Sequence, residues 1–256
     1  MIYLKEKHGF TEDSANFIYG NFNALIYLTP LLGGWLADRF LGFYRCTLIG
    51  LALMGLGYHF MGGAGTHTVV YASMALIIFG NGFFKPNMST LVGNLYMKGD
   101  PRRDEGFSKF YVGINAGAFG SGLVADFGRT LLGLSWQQTF DIAAVGMVFG
   151  FIISVIFRNA LHRISEGGVA LEVTKLDEEK LNHQISKIFI ALGILAGIIA
   201  LFWAAFHQNG STLSFWAKKH TLPFTIPFVN YTVGPFFYAS VNPFFTRWLR
   251  VPSTRA

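Results

Sequence analysis

The sequence is poor in charge, in cysteine and in proline. Of its 256 residues 13% are charged, eight are proline and one, Cys46, is cysteine. A single cysteine excludes a disulfide framework and a cysteine-rich zinc site. Soluble domains carry about 25% charged residues, so the low charge argues against a soluble globular enzyme. The sequence also lacks a metal-ligand cluster, paired carboxylates in a polar domain and a G-x-S-x-G motif. We therefore expect neither enzymatic activity nor a bound metal or cofactor.

What the sequence does have is long runs without charge. The 39 residues between Arg45 and Lys85 contain no Asp, Glu, Lys or Arg. A single helix of that length would measure about 58 Å at ~1.5 Å per residue, nearly twice the ~30 Å hydrocarbon core of a bilayer. The glycine-rich stretch 62–67 lies near the middle of the run. We therefore predict two membrane-spanning helices joined by a tight turn.

The same reasoning along the chain predicts an all-α polytopic protein of the lipid bilayer, with about six to seven transmembrane helices. Residues 1–14 are charged and contain no apolar core of a cleavable signal peptide, so insertion relies on the first spanning helix. The net charge of +6 does not indicate a nucleic-acid partner, because the basic residues concentrate between the spans. The complete spans are predicted at 14–37, 46–62, 68–95, 107–127, 136–157 and 185–206.

The number of lysine and arginine residues alternates between high and low from one predicted loop to the next. The loops 38–45, 96–109 and 158–187 contain several basic residues, whereas 62–68 contains none and 128–135 contains one. Basic loops stay in the cytoplasm, so the first three are predicted to be cytoplasmic. The N-terminus then lies outside. Without a signal peptide, that orientation leads us to expect a further helix before the first residue.

The polarity profile divides the chain into three parts. Residues 1–157 are predicted to form an N-terminal helical bundle, and 158–184 a polar cytoplasmic linker with a short surface helix at 176–182. Residues 185–256 are predicted to begin a second bundle. Prolines interrupt the aromatic stretch after residue 218, so no uninterrupted spanning helix fits there before Arg247.

A charged segment flanked by glycines connects the first two spans. Gly34 and Gly42 permit close approach and a tight turn. Asp38 can accept hydrogen bonds from a neighbouring helix N-terminus or pair with a cation. Arg39 can pair across the bundle. The plain alternative is an ordinary basic flank on the cytoplasmic side.

Two polar residues lie inside predicted spans. Lys85 follows 39 uncharged residues and precedes 12 more. A charge within the membrane costs about 2.5–3.5 kcal/mol on insertion scales, so it usually faces a cavity and has a partner. Pro86 frees backbone carbonyls, which suits a segment that lines a site. Asn115 lies two turns into its span, where an amide needs a neighbouring helix or a ligand.

Together these segments resemble the proton-dependent oligopeptide transporter family of the major facilitator superfamily. The resemblance implies a partial major facilitator fold, a multi-pass location in the plasma membrane, di- and tripeptides as substrates and protons as the coupling ion. It also implies that residues 1–4 are the tail of the family's first helix and that the chain stops inside the eighth. The isolated chain is then expected to be inactive, with the missing helices of the same transporter as its partners. The matching segments are LGGWLADRFLG, GFFKPNMSTLVGNLY, RRDEGFSKFYVGINAGAF, TFDIAAVGM, FWAAFHQNGSTLSFWA and YASVNPFF.

The resemblance also implies roles for individual residues. Tyr27 corresponds to a tyrosine that contacts the peptide, and Lys85 to a lysine near the peptide carboxylate that takes part in proton coupling. Asn115 corresponds to an asparagine that hydrogen-bonds the peptide backbone. Trp203 corresponds to an aromatic residue that shapes the pocket, and Asn242 to an asparagine near the peptide's amino end.

Two positions depart from the family pattern. Phe43 stands where the gating loop 34–45 usually has a second basic residue, and His207 stands where the seventh helix usually has an acidic one. A carboxylate there would help to hold the peptide's ammonium group. A histidine titrates near neutral pH, with a reference pKa of about 6.5. His207 is therefore either a proton-responsive replacement that takes part in substrate binding and coupling, or a neutral histidine bonded between helices.

Two alternatives to peptide import stay open on the sequence. A relative of the same family could move another anion, such as nitrate, because the matching motifs do not separate substrates well. An inert membrane fragment would carry the same motifs and show no uptake. The family's first helix would be the discriminating segment between the transported substrates.

Overall fold

The computed structural model describes residues 2–97, 99–166, 225–226 and 231–232, and the described part is almost entirely helical. All described elements belong to one of two compact units, Met1–Gly168 with Leu222–Ala256. The elements are α1 Ile2–His8, α2 Glu12–Leu36, a π-helix Ala37–Leu41, α3 Phe43–Gly63, α4 His67–Asn94, α5 Arg102–Thr130, α6 Trp136–Ile156, α7 Arg158–Glu166, and the antiparallel strands β1 Thr225–Ile226 and β2 Tyr231–Thr232.

The five long helices α2 to α6 fall on the first five predicted spans, with ends that differ by at most five residues. The helices α3, α4 and α6 are each long and apolar enough to cross a membrane. The helices α2 and α5 are long enough as well, with 25 and 29 residues, but no stretch of them reaches the same mean hydropathy with so few charges. The polytopic all-α prediction is confirmed for this part of the chain, and the sixth predicted span, 185–206, lies outside the described residues.

Three of these helices begin directly after a residue whose side chain caps the helix N-terminus. Thr11 and Thr66 each accept a hydrogen bond from the backbone N–H three residues later, which caps α2 and α4. Ser135 and Gln138 form a reciprocal capping box at the start of α6. Side-chain oxygens at these positions satisfy N–H groups that have no partner within the helix.

Glycines bring the helices close together. A Cβ atom on Gly33 of α2 would lie 2.0 Å from the carbonyl oxygen of Gly82 on α4, and one on Gly50 of α3 would lie 2.7 Å from the carbonyl oxygen of Gly80. Lipid tails are as apolar as the helices, so association depends on close packing rather than on hydrophobic burial. The helix α4 thus packs tightly against both α2 and α3.

The region predicted as a polar linker begins with a helix that the sequence did not indicate. Helix α7 lies against the ends of α3 and α4, where Asn94 donates a hydrogen bond to the Ile164 carbonyl at 3.3 Å and the Tyr44 backbone N–H donates to Ser165 Oγ at 3.4 Å. Leu161, Ile164 and Ser165 are its half-buried residues, and the basic side chains are exposed. The predicted surface helix at 176–182 lies outside the described residues.

Candidate functional site

Lys85 and Tyr27 meet between α4 and α2. The Lys85 ammonium lies 4.8 Å from the centroid of the Tyr27 ring, which is within cation–π distance. Both side chains are substantially exposed to the space beside these helices. The two residues are 58 positions apart in the sequence, and the structure brings them together as one polar site.

The depth of Lys85 follows from its place in α4. It is nine residues before the end of the helix at Asn94. At about 1.5 Å per residue, that places it roughly 14 Å from the helix end, near the middle of a ~30 Å hydrocarbon core. Among the described residues Lys85 forms no ion pair. The site therefore presents a cation near the middle of the membrane with an aromatic face beside it.

Two buried polar residues hold α2 and α4 together next to this pair. Thr29 donates a hydrogen bond to the Ile78 carbonyl at 3.1 Å, and its side chain packs on Gly82. The fully buried amide of Asn87 donates to the Gly33 carbonyl at 3.4 Å and to the Phe83 carbonyl at 2.6 Å. These contacts fix the spacing of the two helices that carry Tyr27 and Lys85.

Sequence reasoning missed Thr29 and Asn87. The signal for Asn87 was available, because it is a polar amide in the uncharged run of 12 residues that follows Lys85. Thr29 gives no such signal, since a threonine hydroxyl can bond within its own helix. Its hydroxyl does lie 2.9 Å from the Leu25 carbonyl one turn earlier, and only the packing shows the second contact with α4.

Asn115 lies on α5, a different helix from those of Tyr27 and Lys85. Its amide donates a hydrogen bond to the Tyr111 carbonyl at 2.8 Å, one turn earlier in the same helix, and the residue is half-buried. An asparagine amide carries two N–H donors and a carbonyl acceptor, so this bond involves one of its donors. The predicted contact of Asn115 with a peptide stays a prediction.

The predicted gating residues lie in a continuous helical turn rather than in a loop. The π-helix Ala37–Leu41 extends α2, so that Asp38 and Arg39 lie on helical backbone, and both are exposed. Neither forms an ion pair among the described residues. Gly42 supplies the turn, with φ of +75°, a conformation that glycine adopts without a Cβ clash. The tight turn expected at Gly42 is present, and the role in gating stays a prediction.

The remaining predicted site residues lie outside the described part of the chain. They are Trp203, His207 and Asn242. Within residues 2–97 and 99–166, no three His, Cys, Asp or Glu side chains come together in a way that could hold a metal ion.

Comparison with known sequences connects this arrangement to membrane transporters. The family described as "PTR2: POT family" matches residues 44–159. An uncharacterized transporter of Bacillus subtilis (strain 168), YclF, is 35% identical over 192 residues, which are 74% of this chain and 38% of that protein. Dipeptide and tripeptide permease A of Edwardsiella piscicida is 32% identical over 194 residues, 75% of this chain and 39% of the permease. The chain spans about two fifths of the length of these relatives.

Solved structures show the same fold. A mutant of a peptide transporter POT in complex with alafosfalin superposes with a TM-score of 0.67 at 28% identity, over 92% of this chain and 59% of that one. A POT family transporter in complex with a thioalcohol-conjugated peptide gives a TM-score of 0.71 at 23% identity, over 97% of this chain and 64% of that one. At 23% identity, the likeness to the second structure shows the fold alone.

Proposed function

The chain belongs to the POT family of membrane transporters, and from that premise we propose that it is part of a proton-coupled importer of di- and tripeptides in the plasma membrane. Two relatives support the substrate class, since one is a dipeptide and tripeptide permease and the other a peptide transporter. Transport rather than catalysis is the function of such proteins. Helices long enough to span the bilayer support the location.

The observation that carries the proposal is the Lys85–Tyr27 pair. Its cation lies near mid-membrane, against an aromatic ring, and has no acidic partner among the described residues. An intramembrane cation of this kind marks a substrate or ion pathway. We assign the pair to the carboxylate end of a peptide. Lys85 would supply the positive charge, and the Tyr27 ring would fix the position of the Lys85 ammonium group.

The other contacts in the proposal come from the family resemblance. Asn115 would hydrogen-bond the peptide backbone, Trp203 would shape the pocket, and Asn242 would lie near the amino end. Lys85 and His207 would take part in proton coupling. Alternating access needs two helical bundles that rock around a central site. We therefore propose that uptake requires the further helices of the longer relatives, and that residues 1–256 alone do not transport.

Substitution of Lys85 tests the proposal. In the transporter that contains this sequence, reconstituted in proteoliposomes with an imposed proton gradient, Lys85→Ala is expected to abolish concentrative uptake of a labelled dipeptide. Lys109→Ala is the matched control, because Lys109 is also a lysine of a long helix but lies near the start of that helix and is paired with Glu105. Wild-type-like uptake by Lys85→Ala, with normal insertion, would contradict the proposal.

Two substitutions of Tyr27 separate the contribution of its ring from that of its hydroxyl. Tyr27→Phe keeps the aromatic face beside Lys85, whereas Tyr27→Leu removes it. A cation–π contact contributes about 0.5–1 kcal/mol at an exposed site, which corresponds to roughly a two- to fivefold change in affinity. We expect Tyr27→Leu to raise the KM for dipeptide by that factor relative to Tyr27→Phe. Equal KM values for the two variants would exclude a role for the ring face.

A further inference from the structure

An apolar groove with one polar end runs between α3 and α6, away from the Lys85 site. It encloses about 630 Å³, and its polar end is formed by His59 of α3 and Asp141 of α6. The His59 Nδ1 atom lies 2.8 Å from Asp141 Oδ1. The apolar part is lined by residues of the same two helices, among them Leu51, Gly55, Ala144, Val148 and Phe151.

The length of the groove is close to half the thickness of the hydrocarbon core of a bilayer. His59 is four residues from the end of α3, and Asp141 is five residues from the start of α6, so both lie about 6–8 Å inside the same end of the antiparallel pair. From there the lining continues to Leu51 on α3 and Phe151 on α6. These eight and ten residues extend about 12–15 Å, and half of a ~30 Å hydrocarbon core is about 15 Å.

The outer surface of α6 is apolar and largely uncovered within the described protein. Ala144 is the one residue of this helix that is buried there, and Val145 and Phe149 are each more than 60% exposed. A helix of this composition, with little packing against protein, has hydrocarbon as its natural environment. The groove therefore opens toward lipid tails.

The polar end offers hydrogen-bond acceptors. A carboxylate only accepts hydrogen bonds, so His59 Nδ1 must be the donor in the contact with Asp141. In the neutral imidazole, Nε2 is then an acceptor, and the second carboxylate oxygen Oδ2 is another. The pair carries one negative charge in that state. A small cation with several N–H donors complements it, whereas an anionic group does not.

We propose that this groove is a binding site for a phospholipid with a primary-amine headgroup, that is, phosphatidylethanolamine. One acyl chain would lie along Leu51, Ala144 and Val148, and the ammonium group would donate hydrogen bonds to Asp141 and His59. Charge-assisted bonds of this type are about twice as strong as neutral ones. Phosphatidylcholine has the same charge but no N–H donor, so the site distinguishes the two headgroups.

The test measures which lipids stay bound to the purified chain. The protein is equilibrated with an equimolar mixture of phosphatidylethanolamine, its mono- and dimethylated forms, phosphatidylcholine and phosphatidylglycerol, all with identical acyl chains. Bound lipids are then quantified by native mass spectrometry. We expect retention to fall stepwise with each added methyl group, to about a tenth for phosphatidylcholine, a difference of about 1.4 kcal/mol. Equal retention of choline and ethanolamine lipids, or preference for phosphatidylglycerol, would overturn the proposal without any variant being needed.

Variants then locate the site. Asp141→Asn is expected to reduce ethanolamine-lipid retention to the choline level, and Val148→Trp to reduce retention of both by filling the groove. Phe149→Trp is the matched control, because Phe149 is adjacent and exposed but does not line the groove. If Asp141→Asn retains the ethanolamine preference, or if Phe149→Trp loses lipid as Val148→Trp does, binding occurs elsewhere and the assignment fails.

Discussion

Gly33 and Gly34 are adjacent in α2, but only Gly33 is packed against another helix. A Cβ atom on Gly33 would collide with the backbone of Gly82 on α4, whereas no described atom lies within 4 Å of a Cβ atom on Gly34. Both glycines belong to the segment that matches the family, and the sequence gives no reason to separate them. The structure assigns the close helix contact to Gly33.

Gly33→Ala is therefore expected to destabilise the protein, and Gly34→Ala to leave its stability unchanged or slightly higher. The added methyl group at Gly33 meets backbone atoms that cannot rotate away, and overpacking of this kind costs about 1–3 kcal/mol. At Gly34 the methyl group has space, and alanine favours helix over glycine by about 1 kcal/mol. Thermal unfolding of both variants in one detergent compares them. Equal unfolding temperatures would show that α2 and α4 do not depend on this contact.

At the scale of an element, α1 is held in place by a cluster of aromatic and basic residues. The Tyr3 hydroxyl donates a hydrogen bond to the Met61 carbonyl and lies 2.9 Å from His8 Nε2. The Lys7 ammonium donates to the Gly62 carbonyl at 2.5 Å, and His67 Nε2 donates to the His8 carbonyl at 3.2 Å. These contacts tie α1 to the connection between α3 and α4.

The attachment of α1 is expected to weaken below about pH 6.5. Burial lowers the pKa of His8 from its ordinary value of 6.5, and the nearby Lys7 and His67 lower it further. A histidine with a lowered pKa in the docked state takes up a proton more readily when α1 is released. Acidification through 6.5 therefore favours the released state, and above that pH the effect vanishes.

Hydrogen–deuterium exchange of residues 2–8 between pH 5 and 8, corrected for intrinsic rates, measures this change. His8→Gln keeps a hydrogen-bond donor for Tyr3 but does not titrate, so protection in that variant should vary less with pH. If His8→Gln shows the wild-type pH dependence, titration of His8 does not cause it and the prediction is wrong.

At the scale of the whole chain, short connections make successive long helices antiparallel. Residues 64–66 connect α3 to α4, and 131–135 connect α5 to α6, so these two connections are at one end. Gly42 and residues 95–101 are at the other end, which is also where α7 contacts Tyr44 and Asn94. In the structure the connections rich in basic residues lie at one end of the helices and the others at the opposite end, as the alternation in the sequence predicts. The rule that basic loops stay in the cytoplasm then predicts which end faces the cytoplasm.

Cysteine labelling tests the direction. Cys46 is fully buried and is replaced first, and single cysteines are introduced by Arg103→Cys and Gly65→Cys. In intact cells a membrane-impermeant maleimide is expected to label residue 65 and to reach residue 103 only after the membrane is opened. External labelling at residue 103 would show that the orientation is the opposite of the predicted one, and that 96–109 is not cytoplasmic.

The sequence by itself determined where the five long described helices lie, that a tight turn falls at Gly42, that Lys85 is unusual, and which family the chain resembles. These properties are local: apolar length, turn residues and motifs can be recognised without knowing what a segment packs against. For that reason the first five spans were placed to within five residues.

Only the tertiary structure decided which residues meet. The Tyr27–Lys85 pair, the Gly33–Gly82 contact and the His59–Asp141 pair each join helices whose separation and rotation the sequence does not reveal. In a soluble protein an apolar stripe marks the inner face of a helix, but a membrane helix is apolar on the lipid side as well. Helix rotation in the bilayer is therefore set by close packing at small residues and by buried polar bonds such as that of Asn87. Those interactions exist only between helices, and the order of residues along one helix does not encode them.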